Sequence, residues 1–269
     1  MPTKFIDIEK VIRNRSPRLL KALPRFVISY LKRIIHQDEI NELIKVSEHL
    51  EGHEFIRNVL NIMGIRYKVF GMENVPDKGR FIFAANHPLG GLDGLVFIQE
   101  VGKLFPDVKF PVNDLLLNIK NLNNIFLPIN KHGVQAKESA KLIEEAYASD
   151  VQILYFPAGL CSRKQKGEIK DLEWKKNFVT KAIKHRRDII PVHFSGRNSN
   201  FFYNLANFRE FIGIKSNFEM VYLPDEMFKQ KGKSLIMTYG KPISFQTLSN
   251  SGISVQEWSD RLRDLVHNM

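Results

Sequence analysis

The chain has 269 residues, 43% of them hydrophobic and 26% charged, a balance that suits a folded globular protein and excludes a disordered one. Lys and Arg number 40 against 29 Asp and Glu, and the formal charge of +11 favours polyanionic partners: nucleic acid, anionic lipid or a phosphorylated co-substrate. A single cysteine, Cys161, rules out an internal disulfide and any zinc site built from several thiolates, so a reducing compartment is the simpler setting.

The first ten residues carry Lys4, Asp7, Glu9 and Lys10, and no apolar stretch of signal-peptide type follows. No run reaches the ~18 apolar residues that a membrane-spanning helix needs. The expectation is a peripheral protein on the cytoplasmic face of a membrane, with no transmembrane span. Residues 1–63 read as helical, with apolar positions recurring at three and four and Pro17 and Pro24 marking breaks between short helices. Within 19–35, Leu19, Leu20, Leu23, Phe26, Val27, Tyr30, Leu31, Ile34 and Ile35 alternate with Arg18, Lys21, Arg25, Lys32 and Arg33, the makeup of a basic amphipathic helix. Such a helix can rest on anionic lipid or pack its apolar face on the protein's own core.

From Arg66 onward the rhythm changes. Short apolar runs at 67–70, 81–85, 151–156, 188–193, 218–223 and 235–239 predict strands, and longer periodic stretches at 94–105, 135–149, 171–185 and 255–267 predict helices. The alternation implies an α/β fold: a mixed, largely parallel sheet flanked by helices, with an N-terminal helical portion. The expected organisation is a helical, membrane-associating segment over 1–63 and a catalytic domain over 64–269.

Residues 81–94 read FIFAANHPLGGLDG: a strand, then Asn86 and His87, a double-glycine turn, and Asp93 at the start of a helix. In α/β sheets ligands bind beyond the carboxyl ends of the strands, which is where His87 falls. Gly90 and Gly91 let the loop curl until Asp93 meets the imidazole. A hydroxyl or amine that attacks a thioester must lose a proton, and imidazole is the side chain whose ordinary pKa lies nearest neutrality. A carboxylate on its other nitrogen would fix the tautomer and stabilise the imidazolium. Taken alone, the same residues also make a strand-end histidine satisfied by backbone and an aspartate helix cap.

Three further segments add residues of the same kind. Residues 125–131 read IFLPINK and end in Lys131; residues 154–163 read LYFPAGLCSR, with a Pro157–Ala158–Gly159 turn before Ser162 and Arg163; residues 189–199 read IIPVHFSGRNS, with His193 and Arg197. Singly, each is turn punctuation beside solvated basic residues. In this order the four blocks resemble the glycerolipid (lysophospholipid, PlsC-like) acyltransferase family over about residues 66–240, and within it a bacterial branch described as hemolysin-like. Two departures stand out. Five residues separate His87 from Asp93 where the family usually has four, so the loop must bulge, at Gly90 and Gly91; and Ala158 stands where glutamate is common.

The resemblance implies that His87 deprotonates the acceptor and Asp93 orients it. It also implies substrate contacts from Asn86, Gly90, Gly91, Lys131, Pro157, Ala158, Gly159, Ser162, Arg163 and Arg197, with Arg163 ahead of Lys131 and Arg197 the weakest of the cations. Arginine suits an anionic headgroup or a phosphopantetheine because its planar fork pairs with two oxygens, and the 157–159 turn would offer backbone N–H groups to the thioester oxygen. The co-substrate would be acyl-ACP or acyl-CoA with no bound cofactor, and the acceptor a lysophospholipid or lyso-aminolipid at an anionic membrane surface. His193 is expected to pack in its strand and Cys161 to line the pocket. The eight histidines show no paired-ligand spacing, so no metal is expected. Two rival readings remain at this stage: a basic nucleic-acid-binding protein, for which no zinc-finger, RNP-like or Walker-type signature is found, and a lipid esterase, for which no Gly-x-Ser-x-Gly elbow is present.

Overall fold

The computed structural model describes residues 5–113, 116–129 and 134–269. Five helices come first: α1 (Ile8–Arg15), α2 (Pro17–Ala22), α3 (Arg25–Ile34), α4 (Gln37–Val46) and α5 (Gly52–Ile62). Local chemistry sets their starts. The Asp7 carboxylate accepts from the backbone of Glu9 and Lys10, and the Ser16 hydroxyl accepts from Leu19 N, with Pro17 in a first turn that needs no N–H. The basic stretch 19–35 is two helices, because Leu23 and Pro24 are extended and end α2 before α3 begins. Its apolar residues divide as well: Ile34 is buried, while Phe26 is 74% exposed. Helices α4 and α5 place Ile44, Phe55, Ile56 and Leu60 in the core that also covers the sheet, so packing is continuous across residue 63.

The chain continues through β1 (Arg66–Phe70), β2 (Phe81–Ala85), α6 (Gly91–Leu104), β3 (Val108–Val112), β4 (Phe126–Pro128), α7 (Val134–Ala148) and β5 (Gln152–Tyr155). It then runs through β6 (Arg163–Gln165), β7 (Glu168–Lys170), α8 (Asn177–His185), β8 (Asp188–Phe194), α9 (Asn200–Phe211), α10 (Leu223–Phe228), β9 (Ser234–Tyr239), α11 (Phe245–Asn250) and α12 (Val255–His267). Seven strands form one sheet in the order β1-β9-β8-β2-β5-β3-β4, and β6 with β7 makes a small hairpin. Neighbours pair in parallel except β8 with β9, so the sheet is mixed and largely parallel, as the alternating pattern predicts.

Strand β2 sits in the middle with all five residues buried. Alternation sends Phe81, Phe83 and Ala85 to the face covered by α5 and α6. Ile82 and Ala84 go to the opposite face, where Phe178 and Val179 of α8 and Leu262 and Val266 of α12 pack. Each large side chain buried in this way contributes roughly 1.5–3 kcal/mol. The consequence for the site is rigidity: the strand that delivers His87 is clamped on both faces.

Two predicted elements beyond residue 66 differ most from what forms. The run 218–223 is a 3₁₀ turn at Phe218–Tyr222 that flows into α10, because Glu219 is drawn inward to two arginines and Pro224 favours a helix start. The helix predicted over 171–185 begins only at Asn177, since Asp171 is turned into the interior. Strands β3 and β4, the β6–β7 hairpin and α9 were not expected.

Candidate active site

Strands β2, β5 and β8 run in the same direction, so their carboxyl ends bring the segments after residues 85, 155 and 194 to one edge of the sheet. His87 lies there. Its Nδ1 is 3.0 Å from Asp93 Oδ1. A carboxylate only accepts, so Nδ1 carries the proton and Nε2 is left as the basic nitrogen. Asp93 has no exposed side-chain surface, whereas the imidazole keeps 17% of its own. The ring stacks on Phe156, with centroids 3.9 Å apart and planes 17° from parallel, which fixes its tilt. Burial opposes the imidazolium, but the Asp93 carboxylate and the Cys161 sulfur outweigh it and hold the His87 pKa well above the ordinary histidine value.

The loop geometry explains the long His-to-Asp spacing. Helix α6 starts one turn earlier than predicted, so Asp93 lies inside its first turn and is not its cap. From there Oδ2 accepts from Leu89 N at 2.8 Å and Oδ1 from Gly94 N at 2.9 Å. The extra residue is absorbed at Gly90, whose φ of 81° and ψ of −119° only glycine adopts without strain. A Cβ there would stand 3.1 Å from Leu223 and 3.3 Å from the Cys161 sulfur. Gly91 is already helical and its added Cβ would meet only the Met227 sulfur at 3.6 Å, so the expected bulge at both glycines is a bulge at one.

The loop is pinned by buried polar bonds. Asn86 donates from Nδ2 to Phe194 O at 2.9 Å and accepts from Phe194 N at 2.6 Å, tying β2 to the end of β8. Asp171 is the second anchor: its Oδ1 accepts from His87 N at 3.2 Å and from the Ser162 hydroxyl at 2.5 Å, and its Oδ2 accepts from Trp174 Nε1 at 2.8 Å. Ser162 N in turn donates to His87 O at 2.8 Å. The imidazole is therefore positioned through its side chain by Asp93 and through its backbone by Asp171.

A family model described as acyltransferase matches residues 10–267 of the chain. The chain belongs to this acyltransferase family. It is 46% identical over 266 residues to the "Lyso-glycine lipid O-acyltransferase" of Bacteroides thetaiotaomicron, covering 98% of this chain and 97% of that one. It is also 46% identical to the protein of the same name from Phocaeicola vulgatus, over 98% and 95% of the two chains. The crystal structure of the 1-acyl-sn-glycerophosphate (LPA) acyltransferase PlsC from Thermotoga maritima aligns over 90% of each chain with a TM-score of 0.48 and 18% identity.

In this acyltransferase several residues expected to touch substrate are engaged elsewhere. Arg163 is buried: Nη2 donates to Glu219 Oε1 at 2.8 Å, Nη1 donates to Cys161 O at 2.7 Å, and the guanidinium lies over the Phe202 ring at 5.3 Å. Arg209 closes the other side of the same carboxylate, with Nε 3.0 Å from Glu219 Oε2. A guanidinium so enclosed is not free for an anionic headgroup. Asn86 and Ser162 are likewise spent on the loop anchors just described. Ala158 packs in the core cluster with Trp174 and Phe178, while the exposed Gly159 donates its N–H to Phe156 O at 3.0 Å and does not offer that donor to a thioester oxygen. Pro157 is buried and accepts from Lys175 N. Lys131 lies outside the described residues.

Arg197 has the opposite setting. It is exposed, with Nη2 donating to Asn200 Oδ1, and it lines a cavity of about 150 Å³ that begins at Leu89, two residues past His87. His193 is half-buried in β8, its pKa pushed down first by burial and further by His267. Cys161 is buried and lies against Gly90.

Sequence reasoning missed Asp171, Glu219 and Phe156. Asp171 interrupts a markedly basic stretch and precedes Trp174 by three residues, the one signal that could have marked it. Glu219 sits in an apolar run that reads as strand.

Proposed function

We propose that this acyltransferase moves a fatty acyl group from a thioester, acyl-ACP or acyl-CoA, to the hydroxyl of a lyso-aminolipid of the glycine-lipid class, with His87 as general base and Asp93 holding it. The observation that carries the mechanism is the 3.0 Å contact between His87 Nδ1 and a fully buried Asp93 carboxylate, with the imidazole partly open at the sheet edge. The acceptor class follows the name of relatives that match the whole chain at 46% identity. O-acylation calls for a hydroxyl nucleophile, and no enzyme nucleophile is needed.

The steps balance as follows. His87 Nε2 takes the hydroxyl proton as the acceptor oxygen bonds to the thioester carbon, and the carbonyl electrons move to oxygen. Asp93 stabilises the imidazolium. Collapse of the tetrahedral intermediate breaks the carbon–sulfur bond, and the imidazolium returns its proton to the departing thiolate. Helix α6 begins four residues past His87 with no side-chain cap at Gly90, and the positive end of its dipole would favour negative charge developing next to it.

Lipid substrates suit a protein that works on a surface. Among the described residues no helix is long and apolar enough to cross a membrane. The apolar side chains left in solvent include Leu19, Phe26 and Tyr30 of α2 and α3 and Phe201, Phe208 and Phe211 of α9, the last 89% exposed. The two helical regions meet where the Tyr30 hydroxyl lies 2.8 Å from that of Tyr222 and the Phe201 ring packs on Tyr222. With these side chains in solvent and a net charge of +11 over the whole chain, the protein fits the surface of an anionic bilayer.

The test offers purified protein labelled acyl-ACP and acyl-CoA in parallel with a hydroxylated N-acylglycine, lysophosphatidic acid and free glycine. Ester formation on the N-acylglycine is expected. Acylation of lysophosphatidic acid alone would overturn the acceptor, and release of free fatty acid without transfer would make the protein an esterase.

A further inference from the structure

An N-acylated glycine ends in a carboxylate, and an enzyme that selects it needs a cation close to the reacting centre. Arg163 cannot be that cation, because Glu219 and the Cys161 carbonyl occupy its N–H groups inside the protein. The opening next to the His87 loop offers another. Its walls include Leu89, Gly196, Arg197, Gln230, Lys233 and Ser234, and they carry two cations, an amide and a hydroxyl with no carboxylate among them. Arg197 and Lys233 are both exposed, and neither forms an ion pair with a carboxylate among the described residues.

We propose that this cavity is the subsite for the carboxylate of the acceptor, held by the Arg197 fork and the Lys233 ammonium. The assignment rests on the acyl-transfer reading of His87 and adds where the headgroup lies. The position fits the chemistry. Leu89 is two residues from the proposed base and its backbone N–H is held by Asp93, while Ser234 opens β9 at the edge of the sheet that also carries His87.

The arginine is supported on a shaped loop. Gly196 has a φ of 113°, and a Cβ there would come 3.2 Å from Leu89, so the backbone lies directly on the wall of the cavity. Arg197 O accepts from Gln230 Nε2 at 3.5 Å, and Asn198 N donates to the Tyr203 hydroxyl at 3.0 Å. The Asn200 side chain holds Arg197 Nη2 from outside and leaves other donors of the fork free to pair with two oxygens. Beside it, Asn198 is buried with neither polar side-chain atom hydrogen-bonded among the described residues, an unmet demand of the kind that binding segments retain.

The same oxyanion chemistry is present in the phosphates of a coenzyme A donor, and the experiment separates the two sources. Wild-type, Arg197→Gln, Lys233→Gln and the double variant are assayed with a hydroxylated N-acylglycine and with its methyl ester, using acyl-CoA and, as a donor without phosphate, an acyl-N-acetylcysteamine. For the acid acceptor, each single variant should raise KM about tenfold and the double variant more, with the ester's KM and the donor's KM unmoved. A rise confined to the acyl-CoA KM would give the cavity to the donor and overturn the proposal. Unchanged KM values throughout would overturn it as well. Calorimetric binding of N-decanoylglycine and its methyl ester to wild-type protein is read independently of turnover. Tighter binding of the acid that disappears in the double variant supports the subsite even if acyl transfer to this acceptor fails, and equal binding of acid and ester refutes it even if transfer succeeds.

Discussion

Arg163 and Arg197 each come shortly after a strand that ends beside the His87 loop, and in the sequence they look interchangeable. The fold separates them. Arg163 belongs to an inward region, where Glu219 is gripped by two guanidiniums and Asp171 ties Ser162, Trp174 and the backbone of His87 together. Arg197 belongs to an outward region, the cavity whose walls include Leu89, Gly196 and Lys233. What divides them is whether a distant acid reaches the cation: Glu219 is 56 positions from Arg163, and no carboxylate pairs with Arg197 among the described residues. Polar side chains at one sheet edge thus do two jobs. The inward set stiffens the loop, and the outward set is free to meet substrate.

The largest effects should come from the His87 loop that both regions adjoin. His87→Ala removes the proposed base, and acyl transfer should fall by about 10²–10⁴-fold; stability should drop as well, because the buried Asp93 carboxylate loses its partner, while circular dichroism of the folded protein stays that of wild type. Near-normal transfer in this variant would end the proposal. Asp93→Asn should cost up to about 10⁴-fold, because an amide turned with its NH₂ toward Nδ1 selects the wrong tautomer. It should also move the pH profile. The His87 pKa is raised in the folded protein, so the acidic limb of kcat/KM should lie above the ordinary histidine range, and Asp93→Asn should shift it downward. The same linkage has a sign in stability. The imidazolium–Asp93 attraction is fully present below the unfolded histidine pKa of about 6.5 and is lost as pH rises through the higher folded value. The gap in unfolding free energy between wild type and Asp93→Asn should therefore narrow as pH rises.

Breaking the inward region should read out as stability. Glu219→Gln leaves Arg163 buried without a carboxylate and Arg209 with only the exposed Glu210, and removing one member of a buried ionic group costs about 3–5 kcal/mol. Denaturant unfolding should show that loss. Arg163→Met should also lower stability, while the KM of the acceptor stays the same in the material that folds. A raised acceptor KM with unchanged stability would return Arg163 to the substrate site and erase the contrast between the two regions.

The β2–loop–α6 unit was legible because its signals are local. FIFAA reads as a strand buried on both faces, and a histidine at its end with a glycine turn and an aspartate beyond needs no distant partner to be placed. The contact between His87 and Asp93 could be inferred from that spacing. The roles of Arg163, Ser162 and Asn86 could not, since each is decided by an atom far along the chain: Glu219, Asp171 and Phe194. Glu219 was hidden for a related reason. Its run FEMVYL has strand composition, yet the paired arginines draw the acid inward and the run forms a 3₁₀ turn. Helix α9 was missed because its aromatic side chains are largely not used to fill a core, so the apolar periodicity that announces a buried helix face is blurred.

That unburied aromatic surface carries the smallest prediction, and it sharpens the contrast by asking what the outward side of the molecule faces. Phe26 and Phe211 are 74% and 89% exposed, values that cost solubility unless something apolar covers them. If an anionic bilayer does so, Phe26→Ser and Phe211→Ser should each weaken binding to vesicles by about fivefold, roughly 1 kcal/mol, because a ring resting at the interface gains only part of the free energy of full burial. Raising the salt concentration should weaken binding further by screening Arg18, Lys21 and Arg25 from the lipid charge. Turnover of a short-chain acceptor dissolved as monomers should not change in either variant. Unaltered vesicle binding in the double substitution would show that these rings face something other than lipid, and the membrane side of the proposal would then have to be sought on another surface.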